Sequence, residues 1–462
     1  MCGWAAYGYL HFMDDTLLKY ANLDVPRYTS YPTAAQFADF PDTSLWESWL
    51  GALDKQASLS AYIHIPFCEK LCWYCGCHTS VPNGYDRATT YVDTLLKEID
   101  QTAPLIATEH GNVSHLHFGG GTPTYLNGKD IGRIVDKVEE KMGLRAGGEV
   151  AIEIDPRTFS RKQGEELAQM GFNRASFGVQ DFNLEVQKKI NRVQPYEQVE
   201  KCVNDLRDVG IPSVNFDLIY GLPAQTVESV IETAHQTAAL NPSRVAVFGY
   251  AHVPWFKKQM KLIKEEDLPG TQARYEQAMA IAKVLQEEGY IAVGLDHFVR
   301  PDDNMAQALD DGTLRRNFQG YTTDAADAMI GFGVSSISEF PQGFAQGGRD
   351  TLSWSNAVNA GRSPVGRGLT ISKEDKMRAQ IIERLMCDFT VDPIAIAKAH
   401  GFDQSTLMNA FDSLKGLESD GMVKMNGFVV TVPQDRKIFV RNVAQAFDAH
   451  YVQAPAKHSR AV

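Results

Sequence analysis

Tyr62-Ile63-His64-Ile65-Pro66-Phe67-Cys68-Glu69-Lys70-Leu71-Cys72-Trp73-Tyr74-Cys75-Gly76-Cys77 is the stretch from which the rest of the chain is read. A predicted strand, Tyr62–Ile65, delivers the chain to Pro66, and the cysteines fall in the loop that follows. Three residues separate Cys68 from Cys72, and two separate Cys72 from Cys75. Three thiolates can ligate three irons of a [4Fe–4S] cubane and leave the fourth iron open. An open coordination position is what a reactive site needs, by the logic that separates catalytic from structural zinc. Four-cysteine zinc sites come as two separated CxxC knuckles, and no second knuckle occurs here.

The other cysteines, Cys2, Cys202 and Cys387, are scattered, whereas a disulfide framework would spread all of them. Crowded thiols free for metal suit a reducing compartment. The stretch Met1 to Met13 is apolar but lacks the basic start of a signal peptide, and no run of about 18 apolar residues occurs. A soluble, cytoplasmic protein is therefore expected. With 44% hydrophobic and 22% charged residues the composition is that of a globular protein, not a disordered one. A formal charge of −12 argues against a general nucleic-acid or membrane-surface binder. An anion would have to be held in a local basic pocket.

From about residue 60 to 300, short β-branched runs alternate with amphipathic helical patterns. The predicted strands are Tyr62–Ile65, His115–Phe118, Val150–Asp155, Ala175–Val179, Val214–Ile219, Val245–Tyr250 and Ile291–Leu295. Their nearly continuous apolar interiors read as strands covered on both faces. Helical spacing is clear in Ile131, Ile134, Val135, Val138 and Met142, and again in Val199, Cys202, Val203, Leu206 and Val209. Repeated βα units imply an α/β fold with a parallel sheet, doubly wound or closed into a full or partial barrel, with the site at the strands' C-terminal ends. After about residue 365 the pattern becomes helical. Met377, Ile381 and Leu385 head one helix and Leu407, Phe411 and Leu414 another. A hairpin of Met422–Met425 and Phe428–Val432 turns at Asn426-Gly427, and a last amphipathic helix runs from near Ile438 to Tyr451. This part resembles a winged helix in outline, but its acidic surroundings favour a packing role over DNA binding.

The ends of the βα units carry polar candidates. Gly119-Gly120-Gly121-Thr122-Pro123 follows a strand directly, and glycines allow main-chain groups to approach a ligand closely. Glu153 ends the next strand, where a carboxylate suits ribose hydroxyls. Gln180, Arg192 and Asp217 lie at or just past later strands. Each is also readable as a satisfied polar group of a barrel interior, and Tyr74 equally as a buried loop aromatic.

The cysteine spacing, with an aromatic before the third Cys, resembles the signature of the radical SAM superfamily. Arg27-Tyr28-Thr29-Ser30-Tyr31-Pro32, Cys75-Gly76-Cys77, Gly178-Val179-Gln180-Asp181, Asp217-Leu218-Ile219-Tyr220-Gly221-Leu222-Pro223, Tyr250-Ala251-His252-Val253-Pro254, Asp296-His297-Phe298 and Asn317-Phe318-Gln319 occur in order. Together they resemble the family of bacterial oxygen-independent coproporphyrinogen III oxidases, over roughly residues 15 to 452. That resemblance implies a partial (βα)6-type barrel with an N-terminal arm (1–55), a catalytic barrel with extension (56–365) and a mostly helical C-terminal domain with a β-hairpin (366–462). It implies an oxidoreductase of porphyrin and heme biosynthesis that converts two propionates of coproporphyrinogen III to vinyl groups. A 5′-deoxyadenosyl radical, made from S-adenosylmethionine (SAM) by the cluster, would abstract a propionate β-hydrogen before CO2 is lost. The implied cofactors are one [4Fe–4S] cluster on Cys68, Cys72 and Cys75 and two molecules of SAM. Carried over by position, SAM contacts fall on Tyr62, Tyr74, Gly120, Gly121, Thr122, Glu153, Gln180, Arg192, Asp217, Ala251 and Ile337, with Phe318 and Gln319 lining the same cavity. Tyr62 and Glu153 stand with the three cysteines as the catalytic set. Tyr74 departs mildly from the phenylalanine common at its position.

Cys77 matches the family's fourth cysteine and is not expected to ligate the cluster; a structural free thiol is the other reading. Arg27, Arg300, Arg315 and Arg316 are candidates for the substrate's propionates, against the alternative of solvated surface arginines. A reductant and an electron acceptor are required but not named by the sequence, and a monomer is expected from the resemblance. Competing readings are a related heme chaperone without turnover and another radical SAM tetrapyrrole enzyme, a methyltransferase or heme-degrading enzyme. The Arg27–Pro32 segment, Cys77 and Phe318-Gln319 speak against the chaperone.

Overall fold

Strand β1 (Ala38–Asp39) precedes six longer strands: β2 (Leu59–Ile65), β3 (Val113–Gly120), β4 (Leu144–Ile154), β5 (Arg174–Gln180), β6 (Ser213–Tyr220) and β7 (Arg244–Gly249). In the computed structural model, which describes residues 13–40 and 42–451, β2 to β7 lie side by side in chain order. Every neighbouring pair among them is parallel. Helices Asp86–Thr102, Gly128–Lys141, Arg161–Gln169, Tyr196–Asp208 and Val227–Ala239 fill the connections. This is the expected partial (βα)6 barrel. Ile131, Ile134, Val135, Val138 and Met142 are all buried, as their spacing predicts. Cys2 and the Met1 to Met13 stretch, Met13 itself excepted, lie outside the described residues.

Two expectations are corrected here. Ile291–Leu295 does not join the parallel set. Gly294, at φ 56°, turns the chain after only three residues. The result is β8 (Ile291–Val293), antiparallel to β9 (His297–Val299), which runs antiparallel to β7. The barrel strands are also not apolar on both faces. Along β6, Val214, Phe216, Leu218 and Tyr220 are buried beneath helices, while Ser213, Asn215, Asp217 and Ile219 alternate on the opposite, half-buried face. The inner face looks into a cavity rather than a second layer, so it is free to be polar.

Strands β10 (Arg315–Asn317) and β11 (Gly320–Thr322) form a hairpin apart from the sheet. β12 (Ala328–Phe332) pairs parallel with β2 on the side away from β3, and no local signal announces it. The antiparallel strands β13 (Ile337–Phe340), β14 (Gly343–Gly347) and β15 (Val365–Thr370) continue outward, and β15 takes β1 as the edge. The sheet therefore runs through Thr370, past the boundary expected at residue 365, and part of the N-terminal arm belongs to it.

Helices Lys373–Asp388 and Met408–Ser419 form the C-terminal part with a small sheet of β16 (Thr390–Val391), β17 (Lys424–Asn426) and β18 (Val429–Thr431). Asn426 pairs with Val429, so the turn is Gly427-Phe428, one residue later than expected, with Gly427 at φ 60°. The final amphipathic helix is also corrected. The segment divides into a 3-10 turn Gln434–Phe439, a short helix Val440–Ala444 and a second turn Gln445–Phe447. Val440, Arg441, Asn442, Val443 and Ala444 are all buried, so no solvent-facing stripe exists to support a long amphipathic helix. One apolar core joins the three regions, including Leu17, Ile63, Phe216, Leu385 and Phe447. Among the described residues no helix is long and apolar enough to cross a membrane.

Candidate active site

Beyond β2 the cysteine loop is folded back on itself. Cys68 N–H donates to the Ser80 carbonyl at 3.0 Å and Ser80 N–H to the Pro66 carbonyl at 2.7 Å. Trp73 N–H reaches the Ile190 carbonyl at 3.0 Å, which ties the loop to the segment after β5. Cys68, Cys72 and Cys75 then line one cavity of about 580 Å³, with Tyr74 on its wall. Among the described residues no three His, Cys, Asp or Glu side chains converge on a single-ion position. A cubane instead takes each thiolate on a different iron, so three sulfurs distributed around one cavity suit a cluster better than zinc.

The sulfurs are supplied with donors. Thr122 Oγ1 donates to Cys68 Sγ at 3.4 Å, and Thr79 Oγ1 lies 3.1 Å from the same sulfur. Arg157 Nη2 and Arg192 Nη1 stand 3.4 and 3.5 Å from Cys72 Sγ. Burial pushes the Cys68 thiol up, whereas Cys75 is lowered to about 7, first by a hydrogen bond from Cys77. Donors and guanidinium charge of this kind favour thiolate over thiol. Asp155 orients both arginines, with Arg157 Nη2 at 2.6 Å and Arg192 Nη1 at 3.5 Å. Burial alone would raise the Asp155 carboxyl, but Arg192 and then Arg157 bring it to about 2. The sequence reading missed Arg157; its only signal was an arginine directly after the Asp155-Pro156 pair at the end of a predicted strand.

The glycine turn has a second purpose. Gly120 takes φ 114°, and a Cβ there would lie 2.6 Å from His64 Cε1. A Cβ on Gly121 would meet the Phe67 carbonyl and Thr79 Oγ1 at 2.7 Å. Glycine is thus required for the end of β3 to dock on the cysteine loop, where Gly121 N–H donates to the Ile65 carbonyl at 2.8 Å and Thr122 N–H to that of Phe67 at 2.7 Å. Gly120 N–H already donates to Glu153 Oε2 at 3.2 Å.

Glu153 lies between two adjoining cavities. The first, beside the cysteines, also holds Gly120, Gly121, Thr122, Gln180, Arg192, Asp217 and Ala251. Gln180 sits at φ 67°, with Oε1 buried and unpartnered, a polar atom waiting for a donor. Burial pushes Asp217 up to about 7, helped by the nearby Glu153. The second cavity, about 690 Å³, is lined by Tyr62, Ile337, Phe318 and Gln319 and shares Cys77, Gly120, Glu153 and Asp217 with the first. Tyr62 stacks on His117 at 5.9 Å and 15°. Phe318 sits edge-on to Phe344 at 5.5 Å. The structure therefore distributes the sequence-predicted residues over two connected cavities. Cys77 is exposed and lines both.

The four candidate arginines separate. Arg27 lies at the first cavity, with Nη2 donating to the Gly249 carbonyl at 3.3 Å. Arg316 Nε and Nη2 donate to the carbonyls of Tyr28 and Arg27 at 2.9 and 3.2 Å, which leaves Nη1 buried and unpartnered. Arg315 is paired with Glu383 at 3.1 Å in a separate cavity. Arg300 donates to the Glu288 carbonyl and stacks on Tyr290, lining neither of the two central cavities, so its expected propionate role is withdrawn. The C-terminal part holds the arm that carries Arg27. Tyr28 Oη donates to Asp448 at 3.0 Å, and Ala449 N–H to Tyr31 Oη at 2.9 Å.

Comparison with known proteins agrees with this geometry. The model of the radical SAM superfamily matches residues 62–237. The chain is 44% identical over 448 residues to the oxygen-independent coproporphyrinogen III oxidase of Bradyrhizobium diazoefficiens, covering 97% of this chain and 99% of that one. It is 39% identical over 444 residues to the Escherichia coli K12 protein of the same name, covering 95% and 96%. A solved coproporphyrinogen III oxidase from Escherichia coli, described as a radical SAM enzyme, superposes with a TM-score of 0.89 at 38% identity, over 95% of this chain and 99% of that one.

Proposed function

Because the chain belongs to the family of oxygen-independent coproporphyrinogen III oxidases, within the radical SAM superfamily, we propose that it converts two propionates of coproporphyrinogen III to vinyl groups. Oxidative decarboxylation in this way yields protoporphyrinogen IX. The observation that carries the reading is the set of three loop thiols on a cavity that opens into a second one. When bound, the cluster and SAM supply one-electron cleavage of the sulfonium and, through it, hydrogen abstraction from the substrate.

The chain's own residues hold and shield that chemistry. Cys68, Cys72 and Cys75 ligate the cluster, and Arg157 and Arg192 neutralise charge at Cys72. In the first cavity Glu153, Gln180 and Asp217 offer acceptors to a nucleoside, and Tyr74 offers a ring. Two adjoining cavities that share Glu153 and Asp217 are consistent with two SAM molecules, the second beside Tyr62, Phe318, Gln319 and Ile337. Arg27, on the first cavity, is the arginine best placed for a substrate propionate, and Arg316, on the separate cavity with Arg315, holds the arm that carries it. The chain works as a monomeric cytoplasmic enzyme of three parts, the arm, the barrel and the helical C-terminal domain, with a reductant and an electron acceptor supplied from outside.

The test is anaerobic reconstitution with iron and sulfide, then turnover with SAM, dithionite and coproporphyrinogen III. Protoporphyrinogen, CO2 and 5′-deoxyadenosine are expected together. Cys72→Ala should lose both bound iron and product, while Cys77→Ser keeps its iron. Turnover by the Cys72→Ala protein would defeat the reading.

A further inference from the structure

Beyond β7 the chain reads Trp255-Phe256-Lys257-Lys258-Gln259-Met260-Lys261-Leu262-Ile263-Lys264, four lysines and no acidic residue in a protein of formal charge −12. One side of this segment is anchored. Met260 and Ile263 join an apolar cluster with Ile190 and Leu222, against which Trp73 and Tyr74 of the cysteine loop pack. The other side is open, with Trp255 63%, Phe256 74% and Leu262 58% exposed. A single exposed apolar side chain needs no explanation, but three large ones in one short lysine-rich segment mark an interaction surface. Of the acidic residues that follow, Asp267 pairs with Lys189 at 2.7 Å, Glu265 lies 3.8 Å from His252, and Glu266 pairs with the segment's own Lys264 at 3.6 Å. Lys258 and Lys261 make no ion pair among the described residues.

The same segment is bonded to the cysteine loop. Gln259 Nε2 donates to the Cys75 carbonyl at 2.6 Å, and Lys257 Nζ to the Cys77 carbonyl at 2.8 Å. A partner seated here lies one hydrogen bond from the main chain of a cluster ligand. Phe256, Lys257 and Met260 also line the first cavity, whereas Trp255, Lys258, Lys261 and Leu262 line neither central cavity, so their exposed faces lie outside both.

From these features we infer that the Trp255–Lys264 segment is the docking surface for an acidic one-electron carrier protein that reduces the cluster. The inference rests on the cluster reading above. The transfer is balanced: one electron leaves the carrier's flavin or iron–sulfur centre, one enters the cluster, and no bond forms. Positive charge around an apolar centre matches what steers an acidic partner and then seats it.

The test uses the full reconstituted chain as Lys258→Glu/Lys261→Glu and as Trp255→Ser, both with iron content equal to the parent. Cluster reduction is followed by stopped-flow absorbance with flavodoxin hydroquinone and, separately, with dithionite. At low ionic strength the charge-reversal variant should be reduced by flavodoxin about tenfold more slowly or worse, and salt should narrow the difference. Dithionite reduction should stay within about twofold of the parent, since a small reductant needs no docking surface. An unchanged flavodoxin rate overturns the proposal. So does an intact flavodoxin rate with a raised KM for coproporphyrinogen III under dithionite, which would make the segment a substrate-steering surface. Cluster reduction is read without porphyrinogen, so failure of the decarboxylase reading leaves this outcome legible.

Discussion

Arg157 places Nη2 3.4 Å from the sulfur of Cys72, and the same nitrogen is held at 2.6 Å by Asp155. With Arg192 also near that sulfur and Asp155 ionised, the group carries a net positive charge behind one proposed cluster ligand. Hydrogen bonds and charge at ligating sulfurs set the potential of an iron–sulfur centre.

Arg157→Ala should therefore make the cluster harder to reduce, with a negative shift of midpoint potential in an EPR-monitored titration. A loss of activity of about 10–100-fold is expected from removing such a supporting group. Arg157→Lys, which keeps the charge but not the fork, should recover part of the potential. An unshifted potential in the alanine variant would show that Arg157 serves only to pack the loop.

Glu98 is fully buried, where Oε2 accepts from Gly333 N–H at 2.8 Å and from Trp354 Nε1 at 3.0 Å. Burial pushes its carboxyl up to about 8, against which these two hydrogen bonds act in the lowering direction. Unfolded, it would titrate near about 4.3. Between those values the native chain retains a proton that the unfolded chain has lost, so stability falls as pH rises from about 4.3 to about 8. Glu98→Gln lacks this slope. Urea unfolding should show the variant gaining on the parent between about pH 5 and about pH 8, by at most roughly 1.4 kcal/mol per pH unit. Parallel pH curves would contradict the assignment.

The arm at Arg27 is held from outside by Arg316, which bonds the Arg27 and Tyr28 carbonyls while its guanidinium lies 4.3 Å over the Tyr321 ring. Arg316→Ala should loosen it. Arg27 is exposed and a trypsin site, so native-state cleavage after Arg27 should accelerate roughly tenfold, the cost of two lost hydrogen bonds. Cleavage at the parental rate would mean that the contacts of Tyr28 and Tyr31 with the C-terminal part hold the arm by themselves.

Much of this was legible in local pattern. The spacing of Cys68, Cys72 and Cys75 named the cluster loop because ligands on one loop need only local spacing. The helical period of Ile131, Ile134, Val135 and Val138 named a buried face for the same reason. The polar inner face was harder to read. Asn215 and Asp217 alternate with Val214 and Phe216, but the runs around them look apolar enough for a strand buried on both sides. Strand β12 left no local signal because its place is defined by pairing with β2, more than 260 residues earlier.

By itself the sequence determined the repeating βα units, the cysteine loop and the motifs that place the chain in its family, all carried by short-range spacing. The tertiary structure alone decided what surrounds them. Arg157 meets Cys72 across 85 residues, Arg192 meets it across 120, and Tyr28 meets Asp448 across 420. Contacts of that separation have no period in the sequence. They exist only once the parallel strands have brought their ends to one rim and the C-terminal part has closed over the arm, which is why the charge behind the cluster loop and the hold on Arg27 had to be found in the fold.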